Sequence, residues 1–169
     1  MECPPISRLR MPTSKSRSQS LSPINYAYHL LARRAHSEKE LTEKLLAGGF
    51  TAEAVTGTIA QLRTQGYLDD NRLAADQVER LRERGFGPEG IKNKLVQKGL
   101  SLDIIEQVVE IDEENKEQES ARRLLASRFS ADALKQSRNY ARAFRFLLRR
   151  GYSQAVIENL LGSEPPEDA

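Results

Sequence analysis

Apolar residues along this chain recur every three or four positions rather than every second one. Leu41, Leu45 and Leu46 form one such set, Val55, Ile59 and Leu62 another, and Ile104, Ile105, Val108 and Val109 a third. That is the spacing of one face of an α-helix, and no segment alternates with the period of a strand. The pattern predicts helices over 24–34, 37–48, 52–65, 70–84, 88–98, 102–114, 118–128, 136–150 and 154–161.

The helix ends come from a phrase written three times. KLLAGGF at 44–50 returns as KLVQKGL at 94–100 and as FLLRRGY at 146–152, with Gly49, Gly99 and Gly151 spaced 50 and 52 residues apart. In each copy a leucine precedes the glycine by four residues (Leu45, Leu95, Leu147). A large apolar residue follows it (Phe50, Leu100, Tyr152), then a hydroxyl residue (Thr51, Ser101, Ser153). A glycine there takes the left-handed cap conformation, the next residue packs back on the leucine, and the hydroxyl caps the following helix. Leu62 with Gly66-Tyr67 and Leu81 with Gly85-Phe86 use the same device, and Ser37 with Glu40 fits a capping box. A period of this size means stacked copies of one small unit. The expectation is an all-α chain of three tandem three-helix repeats forming an elongated solenoid, the repeats at 24–68, 69–115 and 116–162. A disordered tail is expected over 1–23 and an acidic tail over 163–169. The third unit is the least regular, because 129–137 lengthens the link between its first two helices.

Composition narrows the class. The chain has 169 residues, 38% hydrophobic and 6% aromatic with no Trp. So thin a core suits an elongated stack in which each unit buries a strip against its neighbour. The single cysteine, Cys3, leaves no disulfide framework and points to a reducing compartment, the cytoplasm. No apolar run reaches membrane-spanning length, and the N-terminus lacks a secretory signal. Residues 1–23 are rich in Ser, Pro and Arg, the composition of a disordered segment. They share an Arg/Ser bias with organellar transit peptides but form no amphipathic face.

The net charge of +2 conceals a separation. Segment 103–119 holds eight acids and one base, Lys116, and 163–169 adds three acids. The remainder carries 25 bases against 13 acids. A chain polarised in this way has a basic face suited to phosphates. Its sharpest part is RNYARAFRFLLRR at 138–150. At about 100° per residue, Arg138, Arg142, Arg145 and Arg149 fall within roughly 60° of arc, over ~17 Å of helix. Such a ladder can engage phosphates or carboxylates bidentately. Alternatively it is a solvated face pairing with acids of a neighbouring helix, such as 106–119. Arg33-Arg34, Arg82/Arg84 and Arg122-Arg123 stand near helix ends, where they offset the helix dipole.

Other chemistries find no support. In a helix-turn-helix the second helix needs donors facing the bases, yet 52–62, 103–113 and 154–161 carry acids and no base. His29 and His36 have no third ligand at metal spacing, so core packing or a surface position accounts for them. Asp69-Asp70 diverge by about 100° on a helix and read as a helix start. RGFGP at 84–88 lacks the Lys-Ser/Thr of a phosphate loop, and Pro88 opens a helix instead. No catalytic, metal or cofactor site is expected.

Three segments together resemble the RecX family of bacterial recombination regulators: RRAHSEKELTEKLLAGGF (33–50), GYLDDNRLAADQVERLRERGFGPEGIKNKLVQKGL (66–100) and RAFRFLLRRGYSQAVIENLL (142–161). The similarity spans nearly all of 26–161, and YLDD, RGFGPEGIKNKLVQKG and FLLRRGY are its most specific parts. It implies a curved rod of three three-helix repeats. It also implies a non-enzymatic protein that binds the RecA recombinase, chiefly as its filament on single-stranded DNA, and suppresses ATP hydrolysis and strand exchange. Recombination, DNA repair and the SOS response would be limited in consequence. Two positions depart from the family pattern: Leu73 where Phe is usual, and Gly48 where a base is common. The family supplies no compact motif to transfer. Arg138, Arg142, Arg145, Arg149 and Arg150 are therefore nominated as contacts to RecA or to the DNA backbone from their pattern, with the basic FLLRRGY match as support. The chain is expected to be a monomer. A stand-alone single-strand binder is the alternative; it would need stacking aromatics along a basic groove, which the sequence does not make evident.

Overall fold

The computed structural model describes residues 22–109, 114–164 and 166. The expected tail thus lies outside the described residues over 1–21, as do 110–113 in the acidic segment. Among the described residues there are helices and no strand: α1 (Pro23–Leu31), α2 (Glu38–Ala47), α3 (Ala52–Thr64), α4 (Asp70–Glu83), α5 (Pro88–Gln97), α6 (Leu102–Val109), α7 (Glu114–Ala126), α8 (Ser137–Arg150) and α9 (Gln154–Leu161), with a 3-10 turn at Ala133–Lys135. The all-α fold expected from the apolar spacing is the fold found.

The chain forms two compact units, one ending at Leu68 and one beginning at Asp69. In the first, α1–α3 enclose Ala27, Leu41, Leu45, Val55, Leu62 and Leu68. The second holds two cores. Helices α4–α6 enclose Leu73, Val78, Leu81, Ile91, Leu95 and Ile105. Helices α7–α9 enclose Ala121, Ala143, Leu147, Tyr152, Val156 and Ile157. Leu73, the departure from the family pattern, is a well-buried member of its core.

The repeated phrase closes helices as expected. Gly49, Gly66, Gly85, Gly99 and Gly151 all have positive φ, between 73° and 89°. The residue after each donates its N–H to the carbonyl of the leucine before: Phe50 to Leu45, Tyr67 to Leu62, Phe86 to Leu81, Leu100 to Leu95 and Tyr152 to Leu147, at 2.9–3.4 Å. These bonds satisfy carbonyls that a helix end leaves without a partner. The hydroxyls that follow then start the next helix. Thr51, Ser101 and Ser153 accept from the backbone N–H three residues on, at 3.4, 3.5 and 3.4 Å. Asp69 caps α4 in the same way, accepting from Arg72 at 3.0 Å.

Three details depart from the periodicity. Helix α1 begins at Pro23 and ends at Leu31 rather than Arg34, because the chain turns there to bury His36 and Ser37. Helix α7 begins at Glu114, four residues before the apolar spacing shows it. The link before α8 is not featureless: Ser130 accepts from Ala133 N–H at 3.3 Å and starts the 3-10 turn.

Candidate functional site

Helix α8 is strongly two-sided. Tyr140, Ala143 and Leu147 are buried in the α7–α9 core, while Arg138, Arg142, Arg145 and Arg149 are exposed on the opposite face. Among the described residues, no carboxylate lies within ion-pairing distance of these four. Two acids of the neighbouring helix α7, Glu117 and Glu119, are engaged elsewhere. The Glu117 carboxylate accepts from Ser153 N–H at 2.7 Å, and Glu119 lies 3.8 Å from Arg123 Nε. The pairing of the stripe with 106–119 considered from sequence is therefore absent among the described residues.

Arg142, Arg145 and Arg149 line one side of a groove of about 670 Å³. Its other side is the link before α8, which contributes Arg128, Phe129 and Ser130, and Phe146 is shared between the two. The Phe129 and Phe146 rings meet at 6.2 Å with their planes tilted by 58°. Arg128 holds its guanidinium 5.7 Å from the Phe146 ring centre. The groove thus carries four guanidiniums about a half-buried aromatic floor, the composition of an anion site with an apolar seat.

Of the five arginines named from sequence, three line this groove. Arg138 shares their helix face but lies beyond the lining. Arg150 turns the other way, 4.7 Å from the Phe86 ring and 5.4 Å from the Phe146 ring, and donates to Arg84 carbonyl at 2.5 Å. Its charge ties α8 to the α4–α5 turn. Arg128 and Phe129 escaped sequence reasoning because they sit in a link without periodicity. The only signal was an Arg-Phe pair between serines at 127–130.

The C-terminus of α8 is fixed by direct backbone contact. Gly87 N–H donates to Arg150 carbonyl at 2.9 Å, and Glu89 N–H to Gly151 carbonyl at 3.1 Å. The negative end of one helix dipole therefore meets the positive end of α5. So close an approach leaves no room for a side chain: a Cβ on Gly90 would stand 2.1 Å from Arg150 carbonyl oxygen. Gly87 and Gly90 of RGFGPEG, which lacks the residues of a phosphate loop, serve instead as the seat for α8.

A second groove, about 850 Å³, lies along α4, the α4–α5 turn and α7. Glu79, Glu83, Glu117 and Glu119 share its lining with Arg82, Arg84, Lys116 and Arg123, so it offers a polyanion no single-signed field. At its base the Tyr152 hydroxyl lies 3.0 Å from Ser120 Oγ, and burial raises its pKa.

The histidines are not brought together as ligands. His36 is buried, with Nδ1 2.9 Å from Arg34 carbonyl, and His29 is exposed. The described residues contain no group of His, Cys, Asp or Glu able to hold a metal, and no helix among them is long and apolar enough to cross a membrane.

The model of the RecX first three-helix domain matches residues 24–62, and that of the second three-helix domain matches 69–109. The regulatory protein RecX of Stenotrophomonas maltophilia strain R551-3 is 33% identical over 153 residues, covering 90% of this chain and 93% of that protein. Its namesake from Pseudomonas fluorescens is 34% identical over 145 residues, 84% of this chain and 91% of that one. Among solved structures, the crystal structure of RecX from Lactobacillus salivarius superposes with a TM-score of 0.69 at 20% identity, covering 86% of this chain and 96% of that one. A second crystal structure of regulatory protein RecX gives 0.70 at 21%, covering 89% and 76%.

Proposed function

This chain belongs to the RecX family, and from that premise we propose that it is a non-enzymatic regulator of the RecA recombinase. It binds the RecA filament on single-stranded DNA and suppresses ATP hydrolysis and strand exchange, so limiting recombination, repair and the SOS response. The observation that carries this reading is the exposed arginine face of α8, which lacks acid partners among the described residues and borders a groove with a fourth arginine. Four guanidiniums gathered at a groove suit an anionic partner, and a nucleoprotein filament supplies one in its phosphates. The contact falls on 116–162, the third of the repeats marked out by the glycine period.

The test is RecA's single-strand-dependent ATP turnover during titration with this protein. Inhibition well below one chain per RecA is expected, since blocking growth of a polymer needs fewer molecules than coating it. The alternative is a stand-alone single-strand binder, favoured by the aromatic floor of the groove. Undiminished ATP turnover together with tight binding to bare DNA would select it.

A further inference from the structure

We propose that the groove beside α8 seats one unpaired nucleotide, its flanking phosphates on Arg142, Arg145 and Arg149 and its base against Phe129. The proposal rests on the reading of this face as the one turned toward DNA, and it adds what the groove selects for.

A ladder of arginines by itself reads only charge and would take duplex, single strand or an acidic peptide alike. This groove has a second component. Phe129 and Phe146 are half-buried, and they share the groove's lining with the exposed Arg142, Arg145 and Arg149. The Phe146 ring is covered by Arg128 and Arg150. Phe129 packs on one side against the α7–α9 core and Phe146 but carries no cation among the described contacts, and it lines the groove. Ser130 and Asn139 add neutral hydrogen-bonding groups to the lining. At about 670 Å³ the space is within the ~300–1,000 Å³ usual for small-molecule sites, ample for one base with its sugar.

An acidic peptide would use the arginines and leave the ring without purpose. A duplex offers its phosphates but keeps its bases stacked within, away from the floor. Of these three, the unpaired strand alone presents anion and flat π-face together, and stacking on an aromatic ring or a guanidinium plane tolerates any base.

The full chain should be titrated against a fluorescein-labelled twelve-residue oligothymidylate, an abasic oligomer of the same length, and a twelve-pair duplex. Roughly tenfold weaker binding of the abasic oligomer is expected, the loss of one stacked base. Phe129→Leu keeps an apolar side chain in the core but removes the ring, and should bring the two single strands to within about twofold. Arg142→Gln should weaken both equally and preserve their ratio. Equal affinity for the thymidylate and abasic oligomers would overturn the proposal, as would duplex bound as tightly as thymidylate. A preference for bases that survives in folded Phe129→Leu would place the seat elsewhere and overturn it too. These outcomes are separate from ATP turnover by RecA. Inhibition without base preference defeats the nucleotide seat alone, and base preference without inhibition defeats the regulatory reading alone.

Discussion

Arginine is put to opposite uses at the α1–α2 turn and on α8. At the turn, Arg34 donates through both terminal nitrogens to the Glu40 carboxylate, Lys44 lies 3.9 Å from the same group, and His36 is buried beside them. The charges there are consumed by the fold. On α8, four arginines share one face and have no acid in reach among the described residues. The difference does not come from the arginines, which are chemically identical. It comes from the acid six residues beyond Arg34, and from the absence of any acid within 138–150. An arginine is structural where its counter-charge is built in and a candidate contact where it is not.

The largest expected effect breaks the α8 side of this contrast through its seat. In Gly90→Ala the new methyl would meet Arg150 carbonyl oxygen, which is backbone and cannot swing aside. The junction must open, losing the bonds from Gly87 and Glu89, at a cost of about 3 kcal/mol or more. Thermal melting should fall steeply and DNA binding with it. Gly49→Ala is the control. It closes α2 with the same phrase and φ of 89°, but nothing stands within 4 Å of the added Cβ. Only the left-handed conformation is penalised, about 1–2 kcal/mol. No loss in Gly90→Ala, or the small gain that Ala brings to a helix interior, would show that the α5–α8 contact does not form in solution.

Next in size is Arg142→Glu with Arg145→Glu. Helicity should be unchanged, because both side chains are exposed. Affinity for single strands should drop by at least tenfold, and the slope of log affinity against log salt should flatten by about 1.4, two phosphates' worth. Undiminished binding by the folded double variant would remove the stripe from the interface. Arg150→Ala sharpens the point within the same helix. Its guanidinium is spent on Phe86 and Arg84 carbonyl, so the loss should be in stability, about 1–2 kcal/mol. Arg145→Ala should shift stability by less than about 0.5 kcal/mol, which denaturant titration can resolve.

Much of this was legible in the chain, and the reason is local. Helix ends were written as Leu-x-x-x-Gly followed by an apolar residue and a hydroxyl, and the bonds from Phe50, Leu100 and Tyr152 realise that phrase residue by residue. The α8 stripe was visible because helical spacing alone places Arg138, Arg142, Arg145 and Arg149 on one face. What periodicity could not show is where distant segments meet. Arg128 and Phe129 line the groove only because a 3-10 turn folds their link beside α8, and short turns leave no periodic trace. The purpose of Gly87 and Gly90 was equally hidden, since it depends on a backbone more than sixty residues away. Arg150, which continues the basic run in sequence, stacks on Phe86 in the α4–α5 turn.

A pH-dependent effect tests the closed charges of the α1–α2 turn. Burial lowers the pKa of His36 from its ordinary value. The Arg34 carbonyl opposes the shift by accepting a hydrogen bond from the ring, and the Arg34 charge adds to it. Of the more distant charges, Glu40 raises the pKa and Lys44 lowers it. The Glu40 carboxyl is lowered chiefly by its bond to Arg34. Both groups therefore bind protons more readily when the chain is unfolded. For His36, unfolded chains take up a proton as pH falls through about 6.5, while the folded chain resists until lower pH. Stability from the neutral imidazole is thus fully present above about pH 6.5 and declines below it, by at most about 1.4 kcal/mol per pH unit. Glu40 contributes in the same direction at more acid pH, its stabilisation fading as pH falls below the ordinary carboxylate value. Melting temperature should accordingly fall between pH 7.5 and 5.5. In His36→Asn the amide can still donate to Arg34 carbonyl but does not titrate, so the fall over that interval should shrink. An equal fall in the variant would mean that His36 is not buried neutral, and that the turn is less closed than its ion pair implies.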